Sequence, residues 1–112
     1  MFNTDTNGKY AVIFSAQRTT VSEGYAEALE LLRGKLPTIE GYIGMESAEN
    51  SAGYEITVSY WEDQSAILRW ASDTDHLNIR SANKNKWYEN FKVRVVKIER
   101  EYGMGATREG HA

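Results

Sequence analysis

Trp70 and His76 stand six residues apart and are the side chains best suited to chemistry in this chain. His76 follows the polar run Ser72-Asp73-Thr74-Asp75, whose residue types cap helices, so the sequence predicts it in a first helical turn. The positive end of the helix dipole disfavours imidazolium there, and a neutral imidazole accepts or relays protons or binds a metal or haem. The alternative is a histidine that only binds loop carbonyl groups, next to a Trp70 that only packs.

A second set of candidate binding residues lies on predicted strands. Ser15, Gln17 and Ser59 could hydrogen-bond the carbonyl or hydroxyl of a ligand, or equally satisfy one another or water. Arg94 could bind an anionic group, although an ion pair with a glutamate is the alternative. Trp61 is either a wall of a ligand site or an anchor at a protein contact, where tryptophan is favoured.

The composition of the 112 residues narrows the possible chemistry. With 41% hydrophobic and 12% aromatic residues, the chain is long and apolar enough for one domain with a core. The net charge of −3 and the lack of a Lys/Arg cluster argue against nucleic-acid or membrane-surface binding. Without cysteine there is no disulfide or thiolate metal site, and with only two histidines we expect no metal centre. The polar N-terminus lacks a signal peptide, so we expect a cytoplasmic location.

The pattern along the chain predicts the order β-α-β-β-α-β, which is a ferredoxin-like α+β fold with an antiparallel sheet. Thr20 and Glu23 form a capping box that predicts a helix start, and Pro37 ends that helix. Asp63 caps a second helix. The predicted strands are 10–18, 39–48, 54–61 and 91–102, with a further helix over 76–88, inside a single domain, 10–102, between a flexible lead, 1–9, and a flexible tail, 103–112.

The sheet face turned away from the helices predicts a partner. Two helices cover only one face of a four-stranded sheet, and we expect the other face to be too apolar for water. A second copy of the chain, packed sheet against sheet, would cover it, so the sequence predicts a homodimer. The residues expected on this face are Ile13, Ser15, Gln17, Thr57, Ser59, Trp61, Arg94, Val96 and Ile98.

These segments resemble the antibiotic biosynthesis monooxygenase (ABM) domain family. The resemblance covers residues 8–102 and rests on YAVIFSAQR at 10–18, ITVSYWE at 56–62, Trp70 followed by His76, and Trp87-Tyr88 before a strand rich in valine. It implies a dimeric α+β barrel. It also implies either oxidation of an aromatic or phenolic small molecule by O₂ without metal or flavin, or haem binding and degradation.

Two departures separate this chain from the family's catalytic patterns. The quinone-forming members carry asparagine where this chain has Ala66, and tyrosine where it has His76. The haem-degrading members place their axial histidine where this chain has Arg80, and they carry an asparagine in the first strand, near Ser15 and Gln17 here. A non-catalytic binding dimer is therefore the third hypothesis.

The leading hypothesis is a cofactor-free monooxygenase, with haem as the alternative cofactor. The ligand would be a small aromatic molecule held between the sheet and the helices. The predicted catalytic residues are His76 and Trp70, and the predicted substrate-binding residues are Trp61, Ser15, Gln17, Ser59 and Arg94.

Overall fold

The computed structural model of the chain describes residues 4–82 and 86–104, which form one antiparallel sheet with helices on one side. The strand order is β2-β3-β1-β4, and β1 pairs with both β3 and β4. This arrangement confirms the predicted ferredoxin-like α+β fold. The elements are β1 (Tyr10–Arg18), α1 (Tyr25–Lys35), a 3₁₀ turn (Leu36–Thr38), β2 (Tyr42–Glu49), β3 (Tyr54–Trp61), α2 (Gln64–Ala71), α3 (Thr74–Ala82) and β4 (Tyr88–Lys97).

The strands rich in β-branched and aromatic residues lie where the sequence predicts them. Both β1 and β3 have the predicted bounds. By contrast, β2 begins at Tyr42 instead of Ile39, because the 3₁₀ turn and Gly41, at φ 93°, come first. The last strand is displaced: β4 begins at Tyr88 and ends at Lys97, earlier than the predicted 91–102.

The first helix corrects the predicted capping box. It begins at Tyr25 rather than after Thr20, behind Gly24 at φ 77°, and no side chain caps it. It ends at Lys35, ahead of the 3₁₀ turn that contains Pro37.

The second helical region consists of two helices. Asp63 caps α2 as predicted, since its carboxylate accepts a hydrogen bond from the Ala66 N–H at 2.9 Å. Asp73 does the same for α3, with the His76 N–H as donor at 3.2 Å. The structure describes α3 as far as Ala82, short of the predicted end near Tyr88.

The strand register corrects the predicted sheet faces. Directly opposite residues of an antiparallel pair share a face, and Trp61 lies opposite Tyr10, Ser59 opposite Val12 and Thr57 opposite Phe14. Trp61, Ser59 and Thr57 therefore lie on the helix side, and their predicted place beside Ser15 and Gln17 is wrong. We call the other side the outer face; its apolar members are Ala11, Ile13, Ala48, Tyr54, Ile56, Val58, Tyr60 and Val96.

The core forms where α2 and the 3₁₀ turn meet the sheet. Trp61 and Ala66 have no exposed surface, and Leu36 completes the buried cluster. The edge of the Trp61 ring faces Tyr42 with ring centroids 5.4 Å apart. At the other end of β1, Trp87 is buried and its indole N–H donates to the Glu23 carbonyl at 2.9 Å. The helix layer is thus fixed at both ends of the sheet.

The segments that flank the sheet contact each other. Thr6 is buried, and its backbone N–H and hydroxyl both donate to the carboxylate of Glu101. The predicted domain bounds stay a prediction, and residues 1–3 and 105–112, with His111, lie outside the described residues. Among the residues described, no helix combines the length and the hydropathy needed to cross a bilayer.

Candidate functional site

Trp70 and His76 form one stacked unit at the junction of α2 and α3. Their ring centroids lie 4.3 Å apart with an interplanar angle of 6°. The His76 Nδ1 atom lies 3.0 Å from the Trp70 carbonyl oxygen, which fixes the ring within its plane. Trp70 also packs against the buried cluster around Trp61. The imidazole is therefore held by stacking, by a hydrogen bond and by the start of its own helix.

These contacts determine which nitrogen of His76 is basic. A carbonyl oxygen only accepts, so Nδ1 carries a proton, and in the neutral ring Nε2 is the acceptor. Burial lowers the pKa of His76 and the charge of Arg80 lowers it further, against opposing contributions from the Trp70 carbonyl and Asp73. A histidine of this kind is neutral at pH 7 and suited to accept a proton through Nε2.

Ala66 shows why the asparagine of the quinone-forming family members has no room here. Its side chain is fully buried against Gly41, and a Cβ built on Gly41 would lie 2.5 Å from the Ala66 Cβ. A longer polar side chain at position 66 would have to displace the backbone of this turn. The Ala66–Gly41 contact instead brings α2 close to the sheet.

The predicted binding residues divide between the two sides of the sheet. On the helix side, Trp61 has no exposed surface, and the Ser59 hydroxyl accepts its indole N–H at 2.9 Å. Ser15 and Arg94 lie on the outer face. Gln17 also lies there and donates to the Ala52 carbonyl at 2.8 Å in the β2–β3 turn. The structure therefore does not bring the predicted set together in one site.

A strip of exposed apolar side chains lies on the helix side of β1 and β4. Phe14 lies opposite Val93, and Val12 lies opposite Val95. The three β4 residues of the strip are each about half exposed although they lie on the helix side, so the helices leave this part of the sheet uncovered. Val12, at one end of the strip, packs against the same buried cluster as Trp70. We call this strip the apolar floor; its residues are Val12, Phe14, Phe91, Val93 and Val95.

At the other end of the apolar floor lies a polar group that sequence analysis missed. Glu55 is buried, and the Tyr25 hydroxyl donates to both of its carboxylate oxygens at 2.9 Å. The Tyr88 hydroxyl in turn donates to the Tyr25 oxygen at 3.2 Å. We call these three residues the Tyr88–Tyr25–Glu55 row. It joins β4, α1 and β3.

The surroundings of the row hold both phenols in their neutral form. Burial raises the pKa of Tyr25, and burial together with the hydrogen bond to Tyr25 and the negative charge of Glu55 strongly raises the pKa of Tyr88. The Arg18 guanidinium lies over the Tyr25 ring, 3.4 Å from its centre, in a cation–π contact. Trp87 contacts the same ring edge-on at 5.3 Å.

One signal in the sequence pointed to this row. Glu55 lies six positions before Trp61 in the same strand, and an even offset puts both side chains on one face, so the carboxylate shares the face of a buried tryptophan. A charged residue on a core-facing strand position requires a partner. That partner is Tyr25, with Tyr88 behind it. Both lie 30 or more residues from Glu55 in the sequence, and local sequence patterns do not predict contacts over such a separation.

Residues 4–82 and 86–104 contain no group of three or more His, Cys, Asp or Glu side chains placed to hold a metal ion.

Comparison with known proteins places the chain among relatives. No protein-family model matches it. It is 37% identical over 92 residues to the uncharacterized protein YqjZ of Bacillus subtilis (strain 168). The matched region covers 82% of this chain and 81% of YqjZ.

Solved structures of low sequence identity share the fold. SnoaB, a cofactor-independent oxygenase from Streptomyces nogalater, superposes with a TM-score of 0.68 at 8% identity, over 80% of this chain and 91% of SnoaB. A candidate antibiotic biosynthesis monooxygenase from Nitrosomonas europaea does so with a TM-score of 0.70 at 13% identity, over 84% and 93% of the two chains. The chain therefore belongs to the family of YqjZ, and it has the fold of the ABM domain proteins that its sequence resembles.

Proposed function

We propose that this protein is a monooxygenase that oxidises an electron-rich aromatic or phenolic small molecule with O₂. The observation that carries the proposal is the stacked Trp70–His76 unit, whose neutral imidazole keeps a basic Nε2 and whose Trp70 packs against the same buried cluster as Val12 of the apolar floor. The fold shared with a cofactor-independent oxygenase supports the same reading. Fold alone does not carry it, since one fold hosts many functions.

The chemistry follows from the position of the proton acceptor. A substrate of the anthrone type has a CH₂ group made acidic by its aromatic rings, and His76 Nε2 takes a proton from it. The carbanion gives one electron to O₂, and the radical pair joins through a new C–O bond. The imidazolium returns its proton to the peroxide, and loss of water leaves a carbonyl, so that R₂CH₂ + O₂ gives R₂C=O + H₂O. The protein orients the ring and keeps water away.

The test is O₂ uptake with an anthrone as substrate. His76→Gln should lower kcat by about 10²-fold or more, the range that general acid–base catalysis supplies, since glutamine keeps a donor but loses the base. The matched control is Asn78→Ala, an exposed position of the same helix. An unchanged rate in His76→Gln would show that His76 is not the base. Binding of the anthrone without O₂ uptake would favour the non-catalytic dimer.

Haem is not favoured by the residues present. At the family's axial-ligand position this chain has the exposed Arg80, whose guanidinium has no lone pair to give to iron. A shift of the hemin Soret band when hemin is titrated with the protein would restore the haem alternative.

We also propose that the working unit is a homodimer joined through the outer face. This face presents Ile13, Ile56 and Val58 side by side on β1 and β3, with part of Ile56 exposed. An apolar patch of this kind on a sheet favours a protein contact. Light scattering should return twice the 12.7 kDa of one chain.

A charge on the outer face should separate the two copies. Ile56→Glu would bury an unpaired carboxylate in the interface, so we expect it to produce monomers. Leu68→Glu, on an exposed position of α2, should leave the mass unchanged. A wild-type particle of 12.7 kDa would contradict the dimer.

A further inference from the structure

The Tyr88–Tyr25–Glu55 row has a fixed direction of hydrogen donation. A carboxylate only accepts, and Tyr25 spends its single hydroxyl hydrogen on Glu55. Tyr88 then spends its hydrogen on the Tyr25 oxygen. Every hydroxyl hydrogen of the row thus points toward Glu55, and the outer member, Tyr88, is left with an oxygen lone pair to offer.

The end of the row borders the apolar floor. The Tyr88 ring meets Phe14 edge-on with centroids 5.4 Å apart, and Phe14 stacks with Phe91 at 5.6 Å and 28°. Phe91 is half exposed, and Tyr88 itself is only partly buried. A flat ring lying on these aromatic faces has its rim next to the Tyr88 hydroxyl.

The charges around the row keep this direction. Arg18, on β1, lies over the Tyr25 ring, and its N–H groups donate hydrogen bonds to the carbonyls of Trp87 and Val21. These hydrogen bonds of Arg18 go to backbone carbonyls, and the donor to the Tyr25 oxygen is Tyr88. On β2, the exposed Glu49 lies opposite Glu55 in the register and adds no hydrogen donor.

We propose that the Tyr88–Tyr25–Glu55 row is a hydroxyl-recognition site, which selects aromatic ligands that carry an O–H donor over those that carry only an acceptor. A ligand hydroxyl donates to Tyr88, whereas a carbonyl or ether oxygen meets a lone pair and finds no hydrogen. The inference deepens the proposed oxygenase, on which the choice of an aromatic ligand rests. It gives the reduced, hydroxylated ligand tighter binding than a quinone product, which favours product release.

The test compares two ligands on one ring system, of which the second carries a methyl group in place of the O–H hydrogen. 2-Naphthol carries an O–H group and 2-methoxynaphthalene carries an acceptor on the same ring system, and their Kd values are measured by calorimetry without any turnover. We expect wild-type protein to bind the naphthol about tenfold more tightly, as the loss of one hydrogen bond to a partly buried acceptor predicts.

Variants of the row locate the effect. Tyr88→Phe should bind both ligands alike. Glu55→Gln, whose amide supplies hydrogens, lets the row reverse its direction and should reduce the preference several-fold. The matched control is Tyr54→Phe, a tyrosine of the outer face, which should keep the wild-type ratio. Circular dichroism confirms that each variant is folded, and Tyr25→Phe, which breaks the row in its middle, replaces any variant that is not.

Three results would overturn the inference: equal affinity of wild-type protein for both ligands, no binding of either, or a preference that persists in Tyr88→Phe. The failure of the proposed oxygenase is read separately. A protein that discriminates between the naphthalenes but takes up no O₂ with an anthrone keeps this recognition site and loses the proposed reaction.

Discussion

A methyl group added to Gly41 should cost this protein much of its stability. Gly41 has φ 93°, a region that L-residues with a side chain rarely adopt, and its added Cβ would lie 2.5 Å from the Ala66 Cβ. The backbone conformation costs about 1–2 kcal/mol and the overpacking about 1–3 kcal/mol, so Gly41→Ala should lower the free energy of unfolding by about 2–5 kcal/mol.

Gly34→Ala is the matched control for this substitution. Gly34 lies in α1, and a Cβ there would meet nothing within 4 Å. Alanine is the better helix former by about 1 kcal/mol, so this variant should be more stable than wild-type protein. Both variants exchange glycine for alanine and therefore restrict the unfolded chain in the same way. Their difference isolates the environment of Gly41 in the folded state.

Urea denaturation followed by circular dichroism measures both variants. With unchanged m-values, the midpoints give the two free energies directly, and the variants should differ by about 3–6 kcal/mol. Ala66→Gly in the Gly41→Ala background should restore the steric part and leave the cost of the backbone conformation, plus about 1 kcal/mol for a glycine inside α2. If Gly41→Ala were as stable as Gly34→Ala, the close approach of α2 to this turn would be wrong, and with it the explanation for the missing asparagine.

Three further predictions concern single groups on the helix side of the sheet. Asp63→Ala removes the cap of α2 and should cost about 1 kcal/mol in urea denaturation; no loss would contradict the cap. Trp61→Ala empties the centre of the core and should cost about 3–5 kcal/mol, whereas a small change would place Trp61 outside it. The pKa of His76 is lowered in the folded state, so the unfolded chain binds the proton more readily below its ordinary value of 6.5. The free energy of unfolding should therefore be highest above that pH and should fall as the pH drops through the folded pKa. His76→Gln should remove this dependence on pH. Curves of unfolding free energy against pH that run parallel in the two proteins would contradict the prediction.

The strands could be predicted from the sequence where the side-chain types favour a strand over its whole length. β1 and β3 have their predicted bounds because both are continuous runs of β-branched and aromatic residues. The start of α1 was not predictable from a capping box, because Gly24 turns the chain with a positive φ and the helix begins behind it. A cap pattern reports what side chains favour locally, and the backbone turn prevailed here.

The error in the sheet faces has a specific cause. The prediction grouped small polar residues together and so placed Ser59 beside Ser15, whereas the register puts Ser59 opposite Val12. An alternating pattern leaves the phase undetermined when both faces of a strand are partly apolar. Ser59 is tolerated on the core side because its hydroxyl accepts the indole N–H of Trp61. That partner lies in the same strand, two residues away, and only the fold shows that the bond forms.

The corrected faces strengthen the case for a partner instead of weakening it. Removing Trp61 from the outer face takes away its largest predicted apolar residue, but Ile56, Val58 and Tyr60 take the place of Thr57, Ser59 and Trp61 there.

The outer face and the apolar floor are both uncovered apolar surfaces, but they differ in the kind of partner that each can bind. The outer face spans all four strands and holds apolar side chains on each, which suits the broad contact of a second sheet. The apolar floor is confined to two strands. Its Val12 end packs against the buried cluster that also holds Trp70, and its other end meets the Tyr88–Tyr25–Glu55 row. A narrow apolar strip with a directional polar group at its end suits a small aromatic molecule, and that difference separates the proposed binding site from the proposed interface.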